Sequence, residues 1–327
     1  MKQYRWATLG CGVIANQLAQ ALERRGQKLY AVANRTYSNA VAFAEKYGIA
    51  HVYDSIDALF EDEYVDIIYI STPHNTHIAY LRKALRAGKH VLCEKAITLN
   101  SSELEEALAL ASEKRVILAE AMTIYHMPIY KQLNAYIQSG KLGPLRLIQL
   151  NFGSYKEYDM NNRFFNRNLA GGALLDIGVY ALSFARWFMA SKPHEILSQV
   201  RYAPSGVDEQ ASILLKNREE EMATIILSLH AKQPKRGTLS FDKGYVELWE
   251  YPRCEQAVIH YVEHDQTEIL HAGNSDDALL YEVEDMEAAV SGIEDRMCLD
   301  YTRDVMEMMT QIRSIWGMRY PEEEETT

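Results

Sequence analysis

Short apolar runs alternate with longer helical patterns over the first 120 residues of the chain. The apolar runs predict strands at Trp6–Leu9, Leu29–Ala33, Val52–Tyr53, Asp66–Ser71, His90–Cys93 and Val116–Ala119. Apolar residues at helical spacing predict helices at Val13–Arg24, Asn39–Tyr47, Ile56–Phe60, Thr76–Ala87 and Ser101–Glu113. Strands that alternate with helices in this way indicate βαβ units and a buried parallel sheet. We therefore predict an α/β domain with a doubly wound parallel sheet over residues 1–120.

A different pattern occupies the chain from about residue 145 onward. Strand-like segments separated by turn signals lie at Leu145–Phe152, Ile196–Tyr202, Gln210–Leu215, Met222–His230, Thr238–Phe241, Tyr245–Trp249 and Ala257–Val262. Helices are predicted at Leu175–Met189, Ala278–Val290 and Arg303–Trp316. Several of the strands alternate apolar and polar residues, which favours an antiparallel sheet with one covered face. Residues 121–327 are accordingly predicted to form an α+β domain on a large, open, mostly antiparallel sheet.

Composition and charge exclude several classes of protein. The 327 residues include 34 basic and 45 acidic side chains, a net charge of −11, whereas nucleic-acid partners require basic surfaces. No apolar run approaches the roughly 20 residues that span a bilayer, and the first residues lack the apolar region of a signal peptide. The four cysteines lie far apart, without CxxC spacing. We expect a cytoplasmic protein with reduced thiols, no membrane partner and no nucleic-acid partner.

The spacing of histidines gives little indication of metal binding. His260 and His264 are four residues apart, but they lie around a strand-like segment rather than on an HExxH helix. No cysteine or acidic partner stands at ligand spacing from them. We therefore predict no metal site.

The first glycine-rich turn matches the dinucleotide-binding pattern G-x-G-x-x-G/A. Gly10-Cys11-Gly12-Val13-Ile14-Ala15 follows a predicted strand and opens a predicted helix. The first glycine allows the tight turn, the second lets the backbone approach a pyrophosphate, and the small third residue lets the helix pack on the strand. Backbone N–H groups at the helix start would bind the pyrophosphate. Gly10, Gly12, Val13 and Ile14 are thus candidate cofactor-binding residues, and the alternative is a merely structural glycine turn.

The end of the second predicted strand bears on the choice between NAD and NADP. An acidic residue about 20 positions after the glycines would bind the ribose 2′-hydroxyl of NAD. The sequence instead has Asn34 there, followed by Arg35, which can pair with a 2′-phosphate. We favour NADP with Asn34 and Arg35 as binding residues. If Arg35 only stacks on adenine, NAD remains possible.

Two further loops follow strands of the predicted parallel sheet. Loops at the carboxyl ends of such strands line the ligand crevice, so Thr72, Pro73, Asn75 and His77 are candidate cofactor contacts. The alternative is a helix-capping loop in which Asn75 or Thr76 is the N-cap residue. The next strand ends in Glu94-Lys95, which places both side chains at the same edge. A lysine beside a nicotinamide could hold a substrate hydroxyl and lower the pKa of a neighbouring acid.

A second glycine pair precedes a carboxylate and a phenol at helical spacing. In Gly171-Gly172-Ala173-Leu174-Leu175-Asp176-Ile177-Gly178-Val179-Tyr180, the last two polar residues are four apart and share one helix face. Asp176 and Tyr180 suit hydroxyl binding and proton transfer, provided that a cation such as Lys95 lowers the phenol pKa. A helix cap and an amphipathic core residue are the alternatives for the two side chains.

Taken together, these motifs resemble the Gfo/Idh/MocA oxidoreductase family in order and spacing over essentially the whole chain. The tyrosine at position 180 is similar to the residue found in the branch typified by glucose–fructose oxidoreductase and dimeric dihydrodiol dehydrogenase. The resemblance implies a Rossmann domain followed by a domain with an open sheet that often mediates oligomerisation. It implies hydride transfer between NAD(P) and a hydroxyl-bearing carbon. It also implies that Lys95 contacts substrate and ribose, Asp176 binds substrate, and Tyr180 donates or accepts the proton.

Two positions depart from the pattern of this family. Its usual Glu-Lys-Pro is Glu94-Lys95-Ala96 here, which leaves open whether a cis peptide after the lysine is retained. Tyr125 stands where many relatives have an arginine. Both departures lie near the expected site.

The sequence therefore predicts an NADP-dependent oxidoreductase that acts on a sugar, polyol or cyclic diol. An enzyme with a tightly held cofactor that shuttles between two sugars is a second enzymatic possibility. The alternative from another class is a non-catalytic NAD(P)-binding sensor or regulatory protein of the same family. An open sheet with one uncovered face also predicts a homodimer, or an oligomer built from dimers, through the strands between Leu145 and Val262.

Overall fold

The structure of the chain is a computed structural model that describes residues 3–263 and 266–324. Its strands are β1 (Trp6–Leu9), β2 (Ala31–Ala33), β3 (His51–Tyr53), β4 (Ile67–Ile70), β5 (His90–Glu94), β6 (Leu118–Ala121), β7 (Leu145–Gly153), β8 (Glu195–Tyr202), β9 (Asp208–Lys216), β10 (Met222–Ser228), β11 (Gln233–Phe241), β12 (Gly244–Trp249), β13 (Gln256–Tyr261) and β14 (Thr267–His271). Its helices are α1 (Val13–Arg24), α2 (Tyr37–Tyr47), α3 (Ile56–Glu61), α4 (His77–Arg86), α5 (Ser101–Lys114), α6 (Thr123–His126), α7 (Pro128–Gln138), α8 (Val179–Phe188), α9 (Ala278–Val290), α10 (Leu299–Trp316) and α11 (Pro321–Glu324). A π-helical turn at Leu174–Gly178 leads directly into α8.

The chain divides into two compact units. The first contains the residues up to Met122 together with Leu279–Leu299, and the second contains Thr123–Ala278 together with the residues from Asp300 onward. Each unit has its own sheet and its own buried core.

The first unit is built on a parallel sheet. Within the described residues its six strands lie in the order β3-β2-β1-β4-β5-β6, and every neighbouring pair is parallel. All four residues of β1 and of β4 are buried, as expected for strands covered on both faces. The predicted doubly wound α/β fold is confirmed. Because the order reverses direction at β1, the loops after β1 and β4 lie at a topological switch point, where such folds bind ligands.

Helix α9 belongs to the first unit although it lies far along the chain. Its residues Leu279, Val283 and Met286 are buried in one cluster with Trp6 and Leu22. The Trp6 Nε1–H donates to Glu287 Oε1 at 3.0 Å, which fixes the helix against β1. The sequence-based boundary at residue 120 assigns every later residue, including those of α9, to the second domain. Helical periodicity shows that α9 buries one face, but it does not show which surface covers that face.

The second unit is built on a mixed sheet. Within the described residues its eight strands lie in the order β14-β13-β12-β11-β7-β10-β9-β8, with β7 and β10 parallel and the other pairs antiparallel. The prediction of a large, mostly antiparallel sheet is confirmed. The sequence reading missed β14, α6 and α7. Strand β14 has no fully buried residue, so the apolar alternation that marks the other strands is weak there.

One face of this sheet is buried and the other carries exposed apolar side chains. Along β9, Ala211, Ile213 and Leu215 are buried while the residues between them are exposed. Leu197 and Leu214 are paired across β8 and β9 on the outward face, and they are 69% and 44% exposed. The outward face therefore carries an exposed apolar patch, a feature that often marks an interaction surface.

The stretch Arg167–Phe188 has the length and composition of a membrane span, which was not predicted from the sequence. Within the described residues it is the one helical stretch that passes this test, with a mean hydropathy of 1.3 over the tested window. The small and apolar residues around the Gly171–Gly172 pair raise that mean. Because 78% of the window is buried inside the structure, the stretch has the character of a core helix, and one such segment is weak evidence for a span.

Candidate functional site

The first glycine turn joins β1 to α1 and requires both of its glycines for different reasons. Gly10 has φ +108°, and a Cβ there would lie 2.7 Å from the Ser71 backbone oxygen in the loop after β4. A side chain at Gly10 would therefore separate two loops that lie at the same sheet edge. At Gly12, the N-cap of α1, a Cβ would have no atom within 4 Å. The space beside Gly12 is open, as the approach of a ligand requires.

The start of α1 has the features of an anion site. Within the described residues no side chain caps this helix, and its first turn has no acidic residue. Val13, in that turn, is 80% exposed, while Ala15 is fully buried against the sheet. Uncapped N–H groups at a helix start attract phosphate through hydrogen bonds and the helix dipole. The residues present therefore fit a dinucleotide pyrophosphate, with Gly12, Val13 and Ile14 holding it.

The turn after β2 presents the guanidinium of Arg35 to solvent. The Asn34 Nδ2–H donates to the Thr36 carbonyl at 3.0 Å, which shapes the turn and directs the amide toward its own backbone. Arg35 is exposed and forms no ion pair or hydrogen bond with any residue in the ranges 3–263 and 266–324. Asn34 is therefore a turn residue in this structure, and Arg35 is the group that could meet a 2′-phosphate.

His77 connects the loop after β4 to the loop after β5. Its ring nitrogens lie 2.8 Å from the Thr72 carbonyl and 3.0 Å from the Ala96 carbonyl. The side chain is fully buried, and burial lowers its pKa. We expected His77 to contact the cofactor. With both ring nitrogens beside backbone carbonyls, it connects the two loops, and its contact with a cofactor remains a prediction.

The other candidates in the loop after β4 stay closer to the surface. Pro73 is exposed, and Thr72 and Asn75 are half-buried. The Thr76 hydroxyl lies 2.7 Å from the Pro73 carbonyl and 2.8 Å from the Thr72 hydroxyl, so it stabilises a turn rather than capping α4. Thr76 is nevertheless the N-cap residue of α4, as the alternative expected, although its side chain forms no capping hydrogen bond within the described residues. Thr72, Pro73 and Asn75 remain candidate cofactor contacts.

Backbone contacts fix the segment around Lys95. The Lys95–Ala96 peptide is cis, so the geometry expected for the usual proline is present with alanine. The His74 ring nitrogen lies 3.0 Å from the Lys95 carbonyl, and the Ile97 N–H donates to Glu120 Oε1 at 3.1 Å. Glu94, the preceding residue, accepts a hydrogen bond from the Tyr69 hydroxyl on β4. The backbone that carries Lys95 is thus held from three neighbouring elements of the first unit.

In the second unit, Asp176 and Tyr180 stand out from a buried helix. From Gly171 to Ala185, these are the two residues that are not buried. Asp176 lies in the π-helical turn Leu174–Gly178, and Tyr180 lies in the first turn of α8. Partial exposure is ordinary for a carboxylate and a phenol, but it distinguishes both side chains from the fully buried residues around them. The core-residue alternative for Tyr180 is therefore weakened.

The neighbours of Asp176 and Tyr180 are charged on one side and aromatic on the other. Arg163 Nη2 lies 3.8 Å from Asp176 Oδ1, and its guanidinium rests 4.1 Å from the centre of the Phe164 ring. The ring of Tyr180 lies 6.1 Å from that of Phe152. A carboxylate beside a cation and a phenol beside an aromatic ring can bind a hydroxylated ring and exchange a proton with it.

Gly171 and Gly172 permit the close packing that forms this site. A Cβ on Gly171 would lie 2.8 Å from the carbonyl oxygens of Arg163 and Phe164, so the glycine lets that loop reach the helix. Gly172 has φ +128°, and a Cβ there would lie 2.1 Å from Asp208 Oδ1. The Leu174 N–H donates to Asp208 Oδ2 at 2.6 Å. Gly171 therefore lets the loop that carries Arg163 pack against the helix start, and Gly172 leaves room for the buried carboxylate of Asp208.

Tyr125 lies in the aromatic core of the second unit. It is fully buried, and its ring stacks on Trp187 at 5.7 Å and lies 5.8 Å from Tyr301. The departure from the arginine of many relatives therefore replaces a charge with a packed ring.

Two protein-family models match this chain. The model of an oxidoreductase family with an NAD-binding Rossmann fold matches residues 4–122, and the model of the GFO/IDH/MocA C-terminal domain matches residues 130–247. The chain belongs to the Gfo/Idh/MocA oxidoreductase family. It is therefore an oxidoreductase with an NAD-binding Rossmann domain, as its sequence motifs predicted.

Individual members of the family show how similar the chain is to proteins of known activity. It is 33% identical over 266 residues to trans-1,2-dihydrobenzene-1,2-diol dehydrogenase of Homo sapiens, which covers 80% of this chain and 79% of that protein. The crystal structure of a 3-ketoreductase from Actinomadura kijaniata with NADP and TDP-benzene has a TM-score of 0.86 at 25% identity, over 96% of this chain and 98% of that one. A UDP-N-acetylglucosamine 3-dehydrogenase from Acidithiobacillus ferrooxidans, 20% identical, shares the fold with a TM-score of 0.81 over 96% and 98% of the two chains.

The sequence reading missed several residues that shape the site. Arg163 lies in an irregular loop, Asp208 begins β9, and Glu120 lies within β6, so none belongs to a recognisable motif. The glycine pair was the available signal for Arg163 and Asp208, because adjacent glycines often mark a close approach of other atoms. Among the described residues no group of three or more potential metal ligands is present, and His264 lies outside them.

Two of the glycines at positive φ in the second unit, Gly172 and Gly140, allow a matched test of steric fit. Gly172→Ala should lower the free energy of unfolding by about 3 kcal/mol or more, because the methyl group meets both unfavourable φ and Asp208. Gly140→Ala is the control, since Gly140 has φ +75° but open space around its Cβ position. Its cost should be about 1 kcal/mol. Urea unfolding of both variants measures the difference, and equal losses would contradict the proposed close packing.

Proposed function

We propose that this protein is an NADP-dependent oxidoreductase that acts on a hydroxyl-bearing carbon of a sugar, a polyol or a cyclic diol. The observation that carries the proposal is the pair Asp176 and Tyr180, the two residues between Gly171 and Ala185 that are not buried. Both are polar groups on one helix face, and their chemistry suits the binding and protonation of a hydroxylated substrate.

The preference for NADP rests on the turn after β2. Arg35 is exposed there, and no acidic residue occupies the preceding position, so a 2′-phosphate would meet a cation instead of a carboxylate. The 3-ketoreductase with which the chain shares its fold was crystallised with NADP. Gly10, Gly12, Val13 and Ile14 would hold the pyrophosphate, and Thr72, Pro73, Asn75 and Glu94 would line the rest of the cofactor.

The substrate class is supported by the chemistry of relatives and by the site itself. One relative is named for a cyclic diol, and another is a 3-ketoreductase. Both names describe chemistry at a carbon that bears a hydroxyl or a keto group. Asp176 would accept a hydrogen bond from a substrate hydroxyl, and Phe152 gives Tyr180 an apolar neighbour against which a ring can rest.

The residues of the chain would then divide the reaction between them. The nicotinamide, when bound, supplies or accepts the hydride. The Tyr180 hydroxyl donates a proton to the substrate oxygen in reduction and accepts one in oxidation. A phenol needs a cation to act near neutral pH, and we propose Lys95, in the other unit, for this part and for contact with the ribose. Asp176 binds and orients the substrate, and Arg163 lies beside its carboxylate.

Cofactor choice tests the role of Arg35. Arg35→Ala should weaken binding of NADPH by about 1–3 kcal/mol, because a charge-assisted hydrogen bond to the 2′-phosphate is lost. Binding of NADH should change little. Fluorescence titration with both cofactors gives the two dissociation constants. Arg86→Ala, which removes an exposed arginine at the end of α4, is the control. Equal losses for NADH and NADPH would show that Arg35 does not bind the 2′-phosphate.

Proton transfer tests the role of Tyr180. Tyr180→Phe keeps the ring, so NADPH binding should be unchanged, while kcat should fall by about 10²–10⁴ because the acid–base group is gone. Lys95→Ala should lose a similar factor, and the double variant should be scarcely slower than either single one. NADPH oxidation with a panel of ketosugars and dicarbonyls, and NADP reduction with cyclic diols, measures these rates against pH.

Other outcomes of this experiment would change the assignment. Tyr245→Phe, on the exposed face of β12, is the control for loss of a phenol. A Tyr180→Phe enzyme with near wild-type kcat would return Tyr180 to a packing role. Binding of NADPH without turnover of any substrate in the panel would favour a sensor.

We also propose that the protein forms a homodimer, or a dimer-based oligomer, through the outward face of the second sheet. The apolar residues Leu197, Leu214 and Ile226 lie there on three adjacent strands and are 69%, 44% and 42% exposed. Burial of such a patch against its own copy across a two-fold axis would remove it from water.

A charge placed on that face should separate the subunits. Leu214→Glu would bury an unpaired carboxylate in the interface, so sedimentation at micromolar concentration should change from dimer to monomer. Ile315→Glu, at a 50% exposed position of α10, is the control and should not change the sedimentation coefficient. A wild-type protein that sediments as a monomer would contradict the proposal.

The cytoplasm is the compartment we propose. Cys11, Cys93, Cys254 and Cys298 are all free thiols in the structure. Burial raises the pKa of Cys11 to about 11 and that of Cys254 to about 12, so both thiols are in their unreactive form. Free thiols of this kind are typical of a reducing compartment.

A further inference from the structure

A buried carboxylate holds the start of the helix that presents Asp176 and Tyr180. Asp208, the first residue of β9, is completely buried. Its Oδ2 accepts the Leu174 N–H at 2.6 Å, and Leu174 is the first residue of the π-helical turn. Through this contact β9 fixes the position of the turn.

A second element holds the same turn from its other side. The Tyr320 hydroxyl donates to the Gly171 carbonyl at 2.7 Å, and it lies 3.3 Å from the position of a Cβ on Gly172. Tyr320 follows α10, so the glycine pair is held between β9 and the C-terminal segment. The turn has no freedom to shift without disturbing Asp208 or Tyr320.

The charged and titratable groups that face Asp208 come from three elements. Arg313 of α10 lies close enough to favour the ionised carboxylate, but its guanidinium already forms a bidentate pair with Glu323. Tyr320 and Tyr202 face Asp208 as neutral phenols, because desolvation, and after it the charge of Asp208, raises their pKa values. Asp208 therefore lies near one cation that is shared with another carboxylate.

The ionisation of Asp208 is balanced near neutral pH. Burial raises its pKa to about 7, while backbone N–H groups of Leu174 and Ala173 oppose the rise. An ionised carboxylate forms hydrogen bonds about twice as strong as a neutral group does. Its charge is also favourable at the start of a helix. The turn should therefore be held more firmly above pH 7 than below it.

We infer that Asp208 is a positioning residue, whose ionised carboxylate fixes the Gly171–Leu174 turn and thereby places Asp176 and Tyr180 for catalysis. The inference rests on the proposed function for its catalytic consequence, but not for its structural one. Asp208 does not touch the substrate or the cofactor in this account, since it acts through the turn.

The stability of the fold and the positioning of the turn favour different protonation states of Asp208. Its pKa is higher in the folded chain than the usual value of about 3.9 in an unfolded chain, so folding favours the protonated form. The stability that this group contributes is present below pH 4 and is lost as the pH rises through 7. A carboxylate kept at a position where its ionisation opposes folding is typical of a functional region.

Hydrogen exchange of residues 171–180 tests the positioning directly and does not require a substrate. In the wild type, exchange of this segment, corrected for the intrinsic effect of pH, should become faster as the pH falls from 8 to 6. Asp208→Asn keeps an acceptor oxygen without charge, so its exchange should be about five- to tenfold faster at pH 8 and should not depend on pH. Glu221→Gln is the control, because Glu221 is a buried carboxylate that accepts the Ala190 N–H at 2.8 Å beyond the other end of α8.

Two further measurements use the same variants. The difference in Tm between Asp208→Asn and wild type should increase in favour of the variant from pH 5 to pH 8, because the wild type alone loses stability there. With any substrate that the wild type turns over, kcat should fall below pH 7 in the wild type. The ratio of the wild-type kcat to that of Asp208→Asn should increase as the pH rises through 7, because the titration of Tyr180 is common to both proteins.

The outcomes separate this inference from the proposed function. Exchange of residues 171–180 that is unchanged in Asp208→Asn, or a Tm difference that does not vary with pH, would overturn the role of Asp208. A ratio of the two kcat values that does not change between pH 6 and pH 8 would do the same. A wild type that oxidises or reduces no substrate in the panel would instead contradict the proposed function, and the exchange and Tm measurements would still decide the role of Asp208.

Discussion

The close approach of the backbone at Gly171 and Gly172 is the constraint on which the presentation of Asp176 and Tyr180 depends. Without a Cβ at Gly171, the loop carbonyls of Arg163 and Phe164 pack directly against the helix start. Without one at Gly172, the carboxylate of Asp208 reaches the backbone of the turn. The helix that follows is buried over its length to Ala185, so its two open positions are set by where it begins.

The first unit gathers its candidate residues by a simpler device. The loops after β1, β2, β4 and β5 leave four adjacent parallel strands at one sheet edge, and parallel strands bring their carboxyl ends together. Gly10 lies against Ser71, and His77 lies between the carbonyls of Thr72 and Ala96. The edge is thus held by contacts between loops, which leave the start of α1 and Arg35 open.

Much of this organisation could be predicted from the sequence because it follows local patterns. The bounds of α1 and β1 were predicted to the residue, and the glycine motif placed the dinucleotide turn at Gly10 and Gly12. Asp176 and Tyr180 were found by their spacing together with the resemblance to a known family. Each of these signals lies within a few residues, where periodicity and turn chemistry are informative.

The remaining features depend on contacts between residues that are distant along the chain. Asp208 meets Leu174 across 34 positions, and Trp6 meets Glu287 across 281. For a related reason, the strand-end rule predicted the place of His77 but not the two backbone carbonyls beside its ring, and its contact with the cofactor remains a prediction. Strand β14 was missed because neither of its faces is fully buried.

The position of α9 has a consequence for how the chain is synthesised. Trp6 and Leu22 emerge from the ribosome early, but the helix that covers them, with Val283 and Met286, is translated after nearly all of the second unit. The first unit therefore cannot complete its core as an independent N-terminal domain, although domains generally fold as units in the order of synthesis. Until α9 arrives, an apolar surface around Trp6 remains without its native cover. A protein shortened to its first 122 residues would keep that surface exposed permanently, so the boundary of the Rossmann sequence motif is not the boundary of a stable fragment.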